Sequence, residues 1–473
     1  MKWKEILKNK KIKVWIFCFL VSFFLLMIVS RNSFLYAFND WEDAHAFFTV
    51  GKSMMNGEIV YKDIFEQKGP FLYFIYGIGY LLSHTSFLGV FFLEIISSTI
   101  FLFYVHKIIN LYLEEKYTYW IVPLVAGLLY GSMSFRQGGS CEEFTFPMLT
   151  TTIYYLLTTI RTKQINYKVV YGVGFLAGLI FLMKYTLLGI NFAFMFYLFF
   201  MLLFQKNIKQ AFLSCVIYLA GMFTPMIPWI IYFLIHGALY DFINVYVLIN
   251  LFSYSEQSIS IMEKLLLCFR LAYENIEKIG IPILILLGIL LLFLIFSFIY
   301  PLLVIKDKIK GRKILLKLPR SNKLFSNILY IVYSITIIVT IYCLSDNTKF
   351  IGKSKKEYIP YQFKDIILEK EIPTLLNYGW LDCGFYMTTN TIPNVRYFER
   401  QNFQYSKYPE NMDSQNEYIK DKKVDFVIVA VRSDRDYPIT EYLETNYEMV
   451  TSAKPDYDYA IEEFILYRLK KDV

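Results

Sequence analysis

The sequence predicts a polytopic α-helical membrane protein with about nine spans, interfacial helices between them and a small C-terminal α/β domain. Three observations carry this prediction. Hydrophobic residues make up 56% of the 473-residue chain and fall in long blocks, giving a mean hydropathy of +0.41. Lysine and arginine gather in short clusters after every second block. From Ser345 onward the chain turns polar and no longer carries such blocks.

Residues 281–305 illustrate the first observation. They are nearly free of charge, and at about 1.5 Å per residue they cross a hydrocarbon layer of about 30 Å. A soluble core buries one such helix but not eight or nine, so a soluble globular protein is excluded. The formal charge of +8 does not indicate nucleic acid, because its excess sits in the clusters between apolar blocks. The N-terminus is basic, and no small-x-small cleavage site follows its first apolar block, which reads as an uncleaved first helix with the N-terminus in the cytoplasm.

The predicted spans are residues 14–30, 87–109, 119–135, 147–160, 169–183, 187–204, 211–235, 281–305 and 324–344. Residues 71–82 are apolar and aromatic but too short to cross, and read as an interfacial helix. With that assignment the basic ends after spans two, four, six and eight all face the cytoplasm. The last of these holds Lys306, Lys308, Lys310, Arg312, Lys313, Lys317, Arg320 and Lys323. The acidic loops and the C-terminus then face outward. Counting 71–82 as a span would invert every later loop. The chain divides into a membrane module, 1–344, with its outer loop 31–86, and an extracytoplasmic α/β domain, 345–473. Within that domain strands are expected at 372–378, 424–431 and 460–469, and a helix at 415–422.

The outer loop concentrates the chemistry-bearing residues. Asp40, Glu42, Asp43, Asp63 and Glu66 stand among aromatics just outside a membrane helix. A carboxylate there suits general-base work on a hydroxyl, and a solvated acidic loop is the plainer alternative. The lone His45 reads as structural. The six cysteines show no metal spacing; Cys141 and Cys383 alone would face outward, and no feature of the sequence supports a bridge between them.

From Trp41 to Tyr73 the loop follows the pattern WxDAxxFFxxGKxMxNGxxxYKDxFEQKGPxLY. This resembles the first outer loop of bacterial GT-C-fold glycosyltransferases, relatives of the protein O-mannosyltransferases and aminoarabinose transferases. Weaker similarity extends to Gly138-Gly139-Ser140-Cys141-Glu142-Glu143 and Met183-Lys184. The tail segments Gly384-Phe385-Tyr386 and Pro393-Asn394-Val395-Arg396-Tyr397-Phe398 are similar to the outer domain of the Gram-positive cell-surface polysaccharide branch.

The resemblance implies a GT-C-like catalytic module that takes a sugar from a polyprenyl-phosphate carrier, such as undecaprenyl phosphate. It passes the sugar, usually with inversion, to an acceptor on the outer side of the membrane. The matching general base is Asp43, with Asp40 and Glu42 close enough to remain alternatives. Glu142 and Glu143 match the second acidic position, where they bind or position the acceptor; relatives often carry Asp there. A lipid-phosphate leaving group develops negative charge at the interface, and Lys184, Arg136 and Lys68 are placed to meet it. Snorkelling for Lys184 and loop solvation for Arg136 are the plainer readings of those two cations. No cofactor is expected. Asp43 with Glu142 and Glu143 is the one set suited to a divalent cation, and the branch most resembled often works without metal.

The acceptor expected from this reading is a cell-wall polysaccharide, teichoic acid or similar surface glycan, with the bilayer as the other partner. Two readings from other classes compete: a transporter or flippase of lipid-linked glycans, and a non-catalytic subunit of a wall-assembly complex. Transporters usually carry paired repeats and broken helices at mid-membrane, and no repeat halves are visible here.

Overall fold

The computed structural model describes residues 9–132, 135–252, 323–457 and 461–471, with scattered positions between 260 and 292. The expected span 281–305 lies mostly outside the described residues, and the basic segment 306–322 wholly so. The fold is mainly helical. Among the described residues five helices are long and apolar enough to cross a bilayer: Lys10–Val29, Leu88–Tyr112, Tyr167–Leu187, Ile208–Ile235 and Ser326–Leu344. The chain is a multi-pass membrane protein.

In chain order the principal helices are α1 (Lys10–Val29), α2 (Glu42–Met55), α3 (Pro70–Leu82), α4 (Leu88–Tyr112), α5 (Thr118–Tyr130), α6 (Cys141–Thr162), α7 (Tyr167–Lys184), α8 (Gly189–Phe204), α9 (Ile208–Phe223), α10 (Ile227–Ile235) and α11 (Lys323–Leu344). The chain forms two compact units. The first comprises Met1–Ser30, Ile95–Gly138 and Ile259–Lys349; the second comprises Arg31–Glu94, Gly139–Ser258 and Phe350–Val473.

Within the first unit α1, α5 and α11 pack together. Their contact is aromatic: Trp120 meets the rings of Tyr330 and Tyr333 at 5.1 and 4.8 Å. Arg136 belongs to this unit, in a left-handed turn (φ 55°) whose carbonyl accepts from Asn347 Nδ2 at 2.6 Å.

The helices of the second unit depart from three sequence expectations, each for a local reason. Residues 31–70, expected as a polar loop, contain the buried helix α2; its residues from Ala44 to Ser53 are all buried. The helix expected to begin at Pro147 begins instead at Cys141. Ser140 caps it by accepting from the Glu143 amide at 3.1 Å, and Glu142 and Glu143 fall in the first turn, where the helix dipole favours carboxylates. Pro147 is tolerated inside this helix at the loss of one backbone hydrogen bond. The span expected at 211–235 is broken by a 3-10 turn, Thr224–Met226, where Pro225 and Pro228 interrupt regular bonding.

The C-terminal residues form a four-stranded sheet, β1 (Leu375–Tyr378), β2 (Phe426–Val431), β3 (Tyr447–Ala453) and β4 (Glu463–Leu469), in the order β1-β2-β4-β3. β1 and β2 run parallel, with Leu375 opposite Phe426; the other pairings are antiparallel. β2 is buried along nearly its whole length, as its run Phe-Val-Ile-Val-Ala-Val requires of a central strand. Helix Glu410–Lys420 packs beside the sheet through Met412, Gln415 and Ile419. β3 was not anticipated: its Tyr447–Ala453 sequence is exposed at Glu448, Met449 and Ser452 and bulged at Met449/Thr451, as suits an edge.

Candidate active site

All the geometry below lies in the second unit. The start of α2 is held from two sides. Asn39 Oδ1 accepts from the Trp41 amide at 3.0 Å, leaving Trp41 extended as the N-cap and Glu42 and Asp43 in the first turn. Asp40 is engaged elsewhere, in a buried ion pair with Arg31 Nη1 at 2.5 Å. The guanidinium of Arg31 in turn covers the ring of Phe350 at 3.7 Å. His45 is buried, stacked on Phe38, and its Nε2 meets the Asn39 carbonyl at 2.6 Å; burial lowers its pKa.

The three acidic residues of the motif therefore differ. Asp40 is locked to Arg31, and Glu42 Oε1 accepts from Trp380 Nε1 at 3.4 Å. Asp43 is half-buried, and among the described residues no donor is bonded to its carboxylate. It acts electrostatically on two buried neighbours, Glu66 and Tyr76.

Glu66 is the residue sequence reasoning left without a role. Its carboxyl accepts from the Lys68 amide at 2.9 Å and from the Tyr73 hydroxyl, and it is 3% exposed. Burial raises its pKa against the pull of Lys68, and Asp43 adds to the rise. The two acids thus divide: one carboxyl kept toward its neutral form beside another that is half open. The Glu-Gln-Lys-Gly-Pro run that contains it was the available signal.

That run is fastened to the end of α7. The Gly69 amide donates to the Met183 carbonyl at 3.1 Å, and a Cβ on Gly69 would lie 2.0 Å from the Leu182 carbonyl oxygen. Only glycine permits the approach, which carries Lys68 toward the end of the helix that bears Lys184. Asn250 Nδ2 braces the other side by donating to the Gln67 carbonyl at 2.8 Å, from the turn after a π-helical segment, Ile243–Ile249.

Lys184 Nζ donates to Glu142 Oε1 at 2.5 Å, with both side chains partly exposed. Burial raises the Glu142 carboxyl, but the bond to Lys184, helped by the backbone and Lys68, more than reverses this and holds it below its ordinary value. Glu142, Lys184, Lys68 and Glu66 all act on the buried thiol of Cys141, which burial pushes up to about 12. A small set of opposite charges therefore surrounds one point at the N-terminus of α6.

Glu143 faces elsewhere. It is buried, accepts from the Gly139 amide at 2.9 Å and shares a hydrogen bond with Glu94; burial, then Glu94, raises its pKa well above the ordinary range. Asp43, Glu142 and Glu143 do not make a metal-holding group among the described residues. Arg136 belongs to the first unit. Cys141 and Cys383 are free thiols.

The tail contributes to the same unit by docking on α2. Lys52 is fully buried and donates to the carbonyls of Tyr386 and Thr391 at 2.7 and 2.5 Å. Thr49 Oγ1 donates to Asp382 Oδ2 at 2.6 Å, and the Asp382 amide donates to Glu399 at 2.6 Å. Gly384, in the left-handed region at φ 95°, brings the backbone against His45; a Cβ there would lie 2.6 Å from the ring. No periodicity in the sequence announces these partners, because they are separated from α2 by more than three hundred residues.

Two comparisons with known proteins bear on this arrangement. Residues 67–235 match the family model described as dolichyl-phosphate-mannose-protein mannosyltransferase. The solved structure of ArnT from Cupriavidus metallidurans bound to undecaprenyl phosphate superimposes with a TM-score of 0.56 at 12% identity, covering 96% of this chain and 97% of that one. No curated protein matches the chain in sequence. Near-complete coverage at such low identity carries the architecture: this chain shares the fold of that structure.

Proposed function

We propose that the protein is a membrane glycosyltransferase. It moves a sugar from a polyprenyl-phosphate carrier to a cell-wall polysaccharide, teichoic acid or similar surface glycan on the outer side of the membrane. The observation that carries this reading is the separation of the motif's carboxylates: Asp40 is spent on Arg31 and Glu42 bonds Trp380, while Asp43 stays half open beside the Glu142–Lys184 pair's neighbour, Glu66. The match to the mannosyltransferase model over 67–235 and the fold shared with ArnT support the same reading.

In this mechanism Asp43 accepts the proton of the acceptor hydroxyl as its oxygen attacks the anomeric carbon. The bond from that carbon to the carrier phosphate breaks, and the sugar is transferred with inversion. The phosphate leaves with its electron pair, and Lys184 and Lys68 meet its growing charge. Glu142 keeps Lys184 in place until the phosphate competes for it, and Glu66, biased toward its neutral form, limits repulsion near Asp43. Arg136 is a third cation that the sequence offers to the phosphate.

The membrane orientation that fits is the one read from the basic clusters, with the N-terminus cytoplasmic and the C-terminal residues outside. Glycan analysis of a deletion strain tests the reading. One side-chain sugar should disappear from the cell-wall fraction and return with the wild-type gene. An unchanged glycan profile would contradict it.

A further inference from the structure

The residues assigned so far leave a second cluster of charge in the same unit without a role. A cavity of about 410 Å³ opens among the Gly379–Trp380 turn, residues 400–404 and residues 432–437 that follow β2. Arg400, Arg432 and Arg435 line it, against Asp434 and Asp436. Both aspartates are committed. Asp434 accepts from Nε and Nη2 of Arg432 at 2.8 and 2.7 Å, and Asp436 accepts from Arg400 and from the Tyr405 amide, the latter at 3.0 Å. Arg435 has no carboxylate partner among the described residues; its guanidinium stands 5.5 Å over the Tyr437 ring, and its Nε is buried without a hydrogen bond. Three guanidinium groups facing two carboxylates leave the cavity with one net positive charge.

Its aromatic walls are held in place by the same arginines. Arg432 lies 3.5 Å over Trp380 and Arg400 lies 4.7 Å over Tyr437. Fixed guanidinium donors in a cavity suit an anionic substituent, because the guanidinium fork matches an oxyanion in shape and charge. The walls are also bonded to α2 twice. Trp380 donates to Glu42, the neighbour of Asp43, and Gln401 reaches Thr49 through Glu399 and Asp382, with the first of those bonds 2.7 Å long.

We infer that this cavity is an acceptor subsite that binds an oxyanion, a phosphodiester or carboxylate, borne by the glycan chain. Arg435 supplies the fork. The inference rests on the transferase reading for the word acceptor, and on the cavity alone for the binding. It makes the preferred substrate an anionic glycan and leaves the donor phosphate to Lys184 and Lys68.

The test uses the full chain in discs of neutral lipid and a fluorescent glycerol-phosphate hexamer as probe, read by anisotropy. Wild type should bind the hexamer and ignore a neutral maltohexaose. Arg435→Gln should weaken binding about tenfold with an unchanged melting midpoint, and Arg435→Lys should recover part of the loss. Undiminished binding by Arg435→Gln, or no binding by wild type, would overturn the inference. So would competition at equal phosphate concentration by inorganic phosphate or by phosphatidylglycerol placed in the disc, since either would assign the cavity to a free anion or a lipid headgroup. Because the readout is binding, Asp43→Asn should bind the hexamer normally. Arg435-dependent binding without sugar transfer from any polyprenyl donor would leave the cavity standing and remove the transferase reading; transfer with an acceptor KM indifferent to Arg435 would do the reverse.

Discussion

Arg31 and Asp40 form an ion pair 2.5 Å long whose side chains are only 5% and 9% exposed. A pair this deeply buried sets the stability of the segment entering α2, because removing one partner strands the other charge. Asp40→Asn should therefore cost roughly 3–5 kcal/mol, read as a large fall in the thermal midpoint in detergent. Asp43→Asn should stay within about 1 kcal/mol of wild type. Equal midpoints for the two variants would contradict the division of roles.

Lys52 gives a pH dependence of definite sign. Burial lowers its pKa to about 7, with Asp382 opposing, against an ordinary value near 10.5. Below pH 7 the ammonium is present in both folded and unfolded chains, and the full cost of burying it is felt. Between pH 7 and 10.5 the unfolded chain holds the extra proton, so this residue makes stability rise with pH. The melting midpoint should climb from pH 7 to 9 in wild type, and Lys52→Met should flatten that climb. A slope unaffected by the substitution would contradict the buried-amine account.

Glu66 should tolerate conversion to its neutral mimic. Its pKa is raised by burial, so Glu66→Gln imitates the favoured form while keeping an acceptor for the Lys68 amide. Activity should remain within a few-fold of wild type, whereas Glu66→Ala, which removes the anchor of the Lys68-Gly69 turn, should lose ten- to hundredfold (about 1.4–2.8 kcal/mol). Kinetics of the two variants would separate these outcomes, and equal losses would show that the charge itself matters.

Lys184 and Glu142 should separate in their kinetics. Lys184→Gln removes a cation for the leaving phosphate and should lower kcat about ten- to hundredfold, as loss of a charged hydrogen bond in the transition state does. Glu142→Gln leaves that cation in place and should change donor KM more than kcat. As pH falls through the depressed pKa of Glu142, the ion pair is lost, so wild type should come to resemble the Glu142 variant in acid. A Lys184→Gln enzyme with normal kcat would remove the lysine from the mechanism.

Several elements are legible in the sequence itself, and the reasons are local. The apolar blocks around α1, α4, α7 and α11 follow from length and composition alone, as does the buried strand from Phe426 to Val431. The start of α6 falls earlier than the apolar block at 147–160 suggests, because the Ser140 cap, seven residues before Pro147, decides the boundary. At the candidate site the pattern from Trp41 to Tyr73 points to Asp43 but leaves Asp40 and Glu42 as alternatives, without showing which carboxylate is free. That distinction depends on Arg31 and on Trp380, the latter more than three hundred residues away. Glu143 looked equivalent to Glu142 in sequence; one step along a helix turns it to Glu94 instead of Lys184.

The most direct test of the central claim is transfer by purified wild type, Asp43→Asn and Asp40→Asn, each supplied with polyprenyl-phosphate-linked sugar and wall glycan from the deletion strain. The account predicts a folded Asp43→Asn protein whose transfer falls by at least about a hundredfold, the scale of general-base catalysis. Asp40→Asn should lose activity only as far as it loses folded protein. Full transfer by Asp43→Asn would contradict the assignment of the base.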